Sequence, residues 1–196
     1  GKGQFTCEYA KQNPDKNILA IECVPTVLVE ACELVKRENI TNIRFLEMKA
    51  EYLPLFMRDK TVTEIYLNFS TPYPKNKHEC HRLTYREFLD IYKKLLVDDG
   101  FIAQKTDSQS LFEYSLESFS QNGFVLSNIS LDLHKSDFEG NIVTEYDKTI
   151  KKYYQDGIIT LEALAKWSEE KLIISMYNEG ILIFEEIEKS SVAISS

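Results

Sequence analysis

Glu22 closes a short apolar run, Asn17 to Glu22 (NILAIE), and follows the glycine turn Gly1-Lys2-Gly3 by roughly 20 residues, the interval a nucleotide-binding fingerprint asks for. A carboxylate at a strand end can accept both hydroxyls of a ribose, although the same group can also stand in a solvated loop. The two glycines let backbone approach a ligand, and the helix start after them favours an anion. The segment Asn68-Phe69-Ser70-Thr71-Pro72-Tyr73-Pro74-Lys75 sets two prolines around an aromatic ring. It reads as a stiff loop offering a flat ring and carbonyls to a planar ligand such as a nucleobase, or as an ordinary proline-rich turn. From Lys75 to Arg86 there are four Lys/Arg, two His and one acid, a local reversal in a chain of net charge −8. Such a run either contacts phosphates or is a solvated basic loop. Asp107 suits the amino group of a guanine or the N-cap of the next helix. Asp137-Phe138-Glu139-Gly140 and Thr144-Glu145-Tyr146-Asp147 could read a base edge or cap a helix, and His134 reads as structural.

These groups need a frame, and the pattern around them alternates helix with strand. Gln4 to Gln12 reads as a helix and Asn17 to Glu22 as a buried strand. A helix starts at Pro25, with Val27, Ala31, Leu34 and Val35 at helical spacing. Ile43 to Leu46, Glu64 to Phe69, Phe101 to Lys105 and Phe124 to Leu133 read as further strands, the last the longest. Tyr85 to Leu96 and Ser108 to Ser120 read as helices, and Asp99-Gly100 as a turn. Strands separated by helices imply an α/β fold with a mostly parallel sheet, helices on both faces and chemistry at the carboxyl ends of the strands. Two units are expected on one domain: 1–147, and an atypical helical segment 148–196. In the second, Asp147 to Tyr154 and Thr160 to Lys171 look helical and Ile181 to Ile187 looks like a strand.

The 196 residues, 43% hydrophobic and 28% charged, suit a globular chain with a real core. The acidic balance argues against a general nucleic-acid coat while leaving room for one basic face. No apolar stretch approaches the length of a membrane span and no signal peptide is visible, so a cytoplasmic protein is expected. Cys7, Cys23, Cys32 and Cys80 form no C-x-x-C pair, and reduced thiols are the expectation. Cys80 lies between His78 and His81, but ligands crowded into four residues rarely reach one ion, so no metal is expected.

The chain from Gly1 to about Asp147 resembles the bacterial tRNA (guanine-N7)-methyltransferase family. The resemblance rests on GKGQF at 1–5, the Ile21-Glu22 strand end, YLNFSTPYPK at 66–75, HRLTYREFLD at 81–90 and the Lys105-Thr106-Asp107 turn. It continues through LFEYSLESFS at 111–120, LDLHKSDFEGN at 131–141 and TEYD at 144–147. It implies a Rossmann-like class I methyltransferase that uses S-adenosylmethionine to methylate N7 of a guanosine in the tRNA variable loop. By resemblance, Gly1, Gly3, Glu22, Lys49 and Thr71 would bind the cofactor, with Thr71 also at the catalytic position. Lys75, Asp107, Thr144, Glu145, Tyr146 and Asp147 would hold the target nucleoside. Lys77, Arg82 and Arg86 would meet phosphates. The partner would be tRNA, the enzyme a monomer or homodimer.

The chain departs from the family pattern in several places, among them the shorter acid Asp147 of TEYD and the segment after it. Thr71 stands where the family has aspartate, and Tyr73 where it has tryptophan. Lys49 replaces an acid or amide. The strand that precedes GKGQF in the family is absent from this sequence, which reads as an N-terminally truncated member with a central gap in its sheet unless another segment fills it. These departures raise an alternative: a degenerate relative that binds tRNA or another partner without turnover.

Overall fold

Helix and strand alternate as β-α-β units in the computed structural model, which describes residues 1–131, 133, 141–143, 159–164 and 172–176. In chain order these are α1 (Gln4–Gln12), β1 (Asn17–Glu22), α2 (Pro25–Arg37), β2 (Ile43–Glu47), β3 (Val62–Asn68), α3 (Arg86–Leu95), β4 (Leu96–Thr106), α4 (Gln109–Gln121), β5 (Val125–Ser130), β6 (Ile159–Leu164) and β7 (Leu172–Met176). Two 3-10 turns, Ala50–Leu55 and Asn76–His81, lie in the loops. A turn that short carries no periodicity by which the sequence could announce it.

Alternation along β1 divides the interior into two cores. Leu19 and Ile21 face one side, where they meet Leu53, Phe88, Leu89, Tyr92, Leu95, Phe112 and Phe119 from the first 3-10 turn, α3 and α4. Ile18 and Ala20 face the other, against Phe5, Tyr9 and Ala10 of α1 and the half-buried Leu34 and Val35 of α2. Successive side chains on a strand point to opposite faces, so a strand apolar at every position must be covered twice.

Among the described residues the sheet has seven strands in the order β2-β1-β7-β3-β4-β6-β5. β7 lies between β1 and β3 and runs parallel to both, with Ile173 opposite Ile18 on one side and Glu64 on the other. The central place in the sheet is therefore taken by residues 172–176, which were not read as a strand although Leu172-Ile173-Ile174 is an apolar run. β6 runs antiparallel to β4 and β5. This corrects the helix expected over Thr160 to Lys171: residues 160–164 are strand, because two open sheet edges supply backbone partners that outweigh a weak local preference. The expected segments Asp147 to Tyr154 and Ile181 to Ile187 lie outside the described residues.

Two strand limits also differ from expectation. Among the described residues β4 is the longest strand, 11 residues, and it includes Asp99-Gly100, where a turn was expected. Val62 pairs with Leu96 and Glu64 with Phe101, so a bulge absorbs the extra residues. A Cβ on Gly100 would lie 2.8 Å from Leu96 Cδ2 and 3.0 Å from the Thr63 carbonyl, which is why glycine serves there. β5 stops at Ser130, its ladder to β6 broken between Ser127 and Ser130 with Asn128 at φ 49°.

Gly3 caps α1 at φ 83°, and a Cβ there would sit 2.9 Å from Ala31 Cβ on α2. Its lack of a side chain thus serves helix contact as well as the turn. Gly3→Ala is expected to cost about 1–3 kcal/mol; an unchanged urea midpoint would contradict this reading. No helix among the described residues is long and apolar enough to cross a membrane. All four cysteines are free.

Candidate active site

Three strands bring the predicted groups to one rim. Ile21 pairs with Met176, and Met176 with Leu67, so Glu22 and Asn68 end level with each other. They are two strand spacings apart, about 10 Å. Asn68 pairs with Lys105, and the Phe69 amide donates to the Lys105 carbonyl at 2.8 Å. The Ser70–Lys75 loop therefore leaves the sheet beside the Lys105-Thr106-Asp107 turn.

Glu22 is buried, 4% exposed. Its Oε1 accepts from the amides of Cys23 at 2.7 Å and Val24 at 2.9 Å, donors otherwise left over at the start of α2. That fixes the carboxylate plane. Oε2 faces the Gly1 nitrogen, so the glycine turn lies beside this carboxylate. Lys49 follows β2 and is exposed, its backbone leading into the first 3-10 turn.

The proline loop is bent at two non-glycine residues in the left-handed region, Phe69 at φ 52° and Tyr73 at φ 42°. Ser70 is buried, Thr71 and Tyr73 are half-buried, and Lys75 is exposed. The Tyr73 ring lies 5.5 Å from the His81 ring, tilted by 49°. Lys77 and Arg86 are exposed, as a phosphate contact requires. Arg82 is not, which corrects the expectation for it. It is 8% exposed, its guanidinium bonded to the Pro72 and Tyr73 carbonyls and laid over the Tyr114 ring at 4.2 Å. A cation whose donors and face are engaged inside the protein has little left for phosphate.

Asp107 is exposed at the rim. The helix-cap alternative for it is removed, because Ser108 caps α4 and accepts from the Leu111 amide at 3.3 Å. Lys105, read only as part of the turn, is a tie. Its Nζ donates to Asn141 Oδ1 at 2.5 Å and to the Ile142 carbonyl at 2.8 Å, anchoring residues 141–143 to β4. His134, Asp137 to Gly140 and Thr144, Glu145, Tyr146 and Asp147 lie outside the described residues. Among the described residues no cluster of His, Cys, Asp or Glu could hold a metal.

Residues 1–159 match the family described as "Putative methyltransferase". The chain belongs to this methyltransferase family. A tRNA (guanine-N(7)-)-methyltransferase of Geobacillus sp. (strain WCH70) is 53% identical over 148 residues, covering 76% of this chain and 67% of that one. The enzyme of the same name from Bacillus cytotoxicus is 47% identical over 170 residues, 87% of this chain and 77% of that one. The structure of a SAM dependent methyltransferase from Aquifex aeolicus superposes with a TM-score of 0.53 at 16% identity, over 84% of this chain and 78% of that one, a likeness of fold. The relatives carry enzyme names, so the non-catalytic alternative gains no support.

S-adenosylmethionine is the methyl donor of this methyltransferase. The residues present fit it. Glu22 is a buried carboxylate, oriented by two backbone amides and level with the proline loop, with its second oxygen turned to the glycine turn. The Ser70 hydroxyl, buried at the head of that loop, has no hydrogen-bond partner among the described residues. A buried hydroxyl without a partner is costly unless a ligand or water meets it.

Proposed function

We propose that this methyltransferase methylates N7 of a guanosine in the variable loop of tRNA. The observation that carries the reading is the shared rim, on which Glu22, the Ser70–Lys75 loop and Asp107 end three strands of one sheet. Bound S-adenosylmethionine supplies a methyl already activated as a sulfonium. Glu22 would accept from a ribose hydroxyl at the oxygen that faces the Gly1 nitrogen, the Gly1-Lys2-Gly3 turn would let backbone approach beside it, and the Ser70 and Thr71 hydroxyls would hydrogen-bond polar atoms of the cofactor. The Lys49 ammonium stays in solvent, away from the positive sulfur.

Guanine N7 brings its own lone pair, so no side chain has to remove a proton. The protein's work is alignment and charge complementarity. Asp107 would accept from the guanine amino group, and by resemblance Thr144, Glu145, Tyr146 and Asp147 would hold the same base. Methylation would place positive charge on the purine, which the Asp107 carboxylate beside it would stabilise. Lys75 meets the RNA next to the target, and Lys77 and Arg86 meet phosphates. A reaction on tRNA belongs in the cytoplasm.

The reading is tested with tRNA and tritiated S-adenosylmethionine. The label should appear as 7-methylguanosine, and a transcript with adenosine at the target position should take none. Label on another atom, or none on tRNA, rejects it. Thr71 supplies a hydroxyl where related chains place a carboxylate, so Thr71→Asp is expected to raise turnover about tenfold through a charge-assisted contact. An unchanged rate would remove Thr71 from the reacting centre.

A further inference from the structure

We propose that Arg82 is a positioning residue for methyl transfer, its guanidinium fixing the backbone that carries Thr71, Tyr73 and Lys75. The proposal rests on the reading of that loop given above. Arg82 Nε lies 3.2 Å from both the Pro72 and Tyr73 carbonyls, and Nη2 donates to the Tyr73 carbonyl at 2.9 Å. Two neighbouring carbonyls are thus held by one planar fork, a geometry that lysine's single ammonium cannot reproduce.

The loop needs such a hold. Tyr73 sits at φ 42° immediately before Pro74, although a residue before proline is driven by its ring towards extended backbone. A strained conformation of this kind persists only where its surroundings over-determine it. Arg82 is itself fixed from behind. Its guanidinium lies over Tyr114 of α4 at 4.2 Å. Two residues on, the Thr84 carbonyl accepts from Ser118 Oγ at 2.6 Å, and the Thr84 and Ser115 hydroxyls are 2.9 Å apart. α4 begins just after Asp107. The chain of contacts runs from α4 through Arg82 to the proline loop and holds the cofactor-side loop and Asp107 in one relative geometry. The neighbouring exposed cations are free of this duty, which separates Arg82 from the basic run in which it lies.

Arg82→Ala and Arg82→Lys are compared with the parent chain, with Ser118→Ala as a variant that loosens the same seam without touching the loop. Both Arg82 variants should lower kcat about 100-fold, the scale of a misplacement of about 1 Å, with any rise in KM for S-adenosylmethionine or tRNA smaller than that fall. Ser118→Ala, which loosens the seam behind Arg82 without removing its hold on the loop, should lower Tm and lower kcat less than either Arg82 variant does. In hydrogen exchange, the amides of Ser70, Thr71, Tyr73 and Lys75 should be less protected in Arg82→Lys while those of β1 stay unchanged. A phosphate contact predicts the reverse: a higher KM for tRNA, a shallower salt dependence, and rescue by lysine. That pattern overturns the proposal, as does unaltered exchange in the loop or an equal loss of kcat in Ser118→Ala. If the parent chain itself leaves tRNA unmethylated, the functional reading fails, and the loop exchange alone decides whether Arg82 pins this segment.

Discussion

Glu64→Ala is expected to lower folding stability by about 1–3 kcal/mol, the cost of leaving the partners of a buried carboxylate unpaired, the ion pair with Lys16 being only partly buried. Glu64 is 9% exposed and lies on the face of β3 covered by α1. It accepts from Lys16 Nζ at 2.8 Å, from the Tyr9 hydroxyl at 2.6 Å and from the Tyr66 hydroxyl at 3.0 Å. Lys16 also donates to the Tyr9 hydroxyl at 2.7 Å. Around this network the Phe5, Tyr9 and Tyr66 rings meet with centroids 5.0–5.7 Å apart. Truncation strands one ammonium and two hydroxyls in an aromatic pocket. It also loosens α1, and with it the glycine turn at the active rim. Urea unfolding at neutral pH measures the loss; a change below about 1 kcal/mol, the worth of an exposed pair, would falsify the assignment.

The same network sets an alkaline limit. Burial, then the hydrogen bond to Glu64, pushes the Tyr9 phenol above its ordinary value. Burial and the Glu64 charge push Tyr66 up as well. Burial alone would pull the Lys16 ammonium down, but its bonds to Glu64 and Tyr9 outweigh that and raise it. All three groups hold their protons longer in the folded chain than in the unfolded one. Their contribution is fully present below about pH 10, where the unfolded groups begin to titrate, and is lost as pH rises towards the higher folded values. Tm should stay level up to that point and then fall, with a gentler fall in Tyr9→Phe.

Glu22→Ala is expected to weaken S-adenosylmethionine binding by up to about 100-fold. A carboxylate that accepts from a ribose hydroxyl makes a charge-assisted bond worth about 1.5–3 kcal/mol. Glu22→Gln keeps an acceptor for the Cys23 and Val24 amides but loses the charge, and should fall between parent and alanine. Calorimetry reads both. Parental affinity in Glu22→Ala would separate this carboxylate from the cofactor and dissolve the common rim on which the proposed function rests.

Local pattern was enough to reveal the alternating α/β architecture. β1 and α1 fall where NILAIE and the helix before Asn13-Pro14 were read, because period and punctuation are short-range properties. The same holds for Glu22 at a strand end and for a stiff loop after β3, both set by residues within one turn of the chain. Neighbourhood across the sheet is another matter. Nothing local directs residues 172–176 into the slot between β1 and β3, or residues 159–164 to β4. Those places follow from which strand edges remain open once the rest has paired. Arg82 and Lys77 are alike as letters in a basic run, yet one is buried against Tyr114 and two carbonyls while the other stands in water. Glu64 and Tyr9 are 55 positions apart and meet only because the sheet carries one beneath the helix of the other. Residue type and spacing determined which chemistry was available; desolvation and long-range contact, which exist only in the folded chain, decided which charges reach the rim and which hold it together.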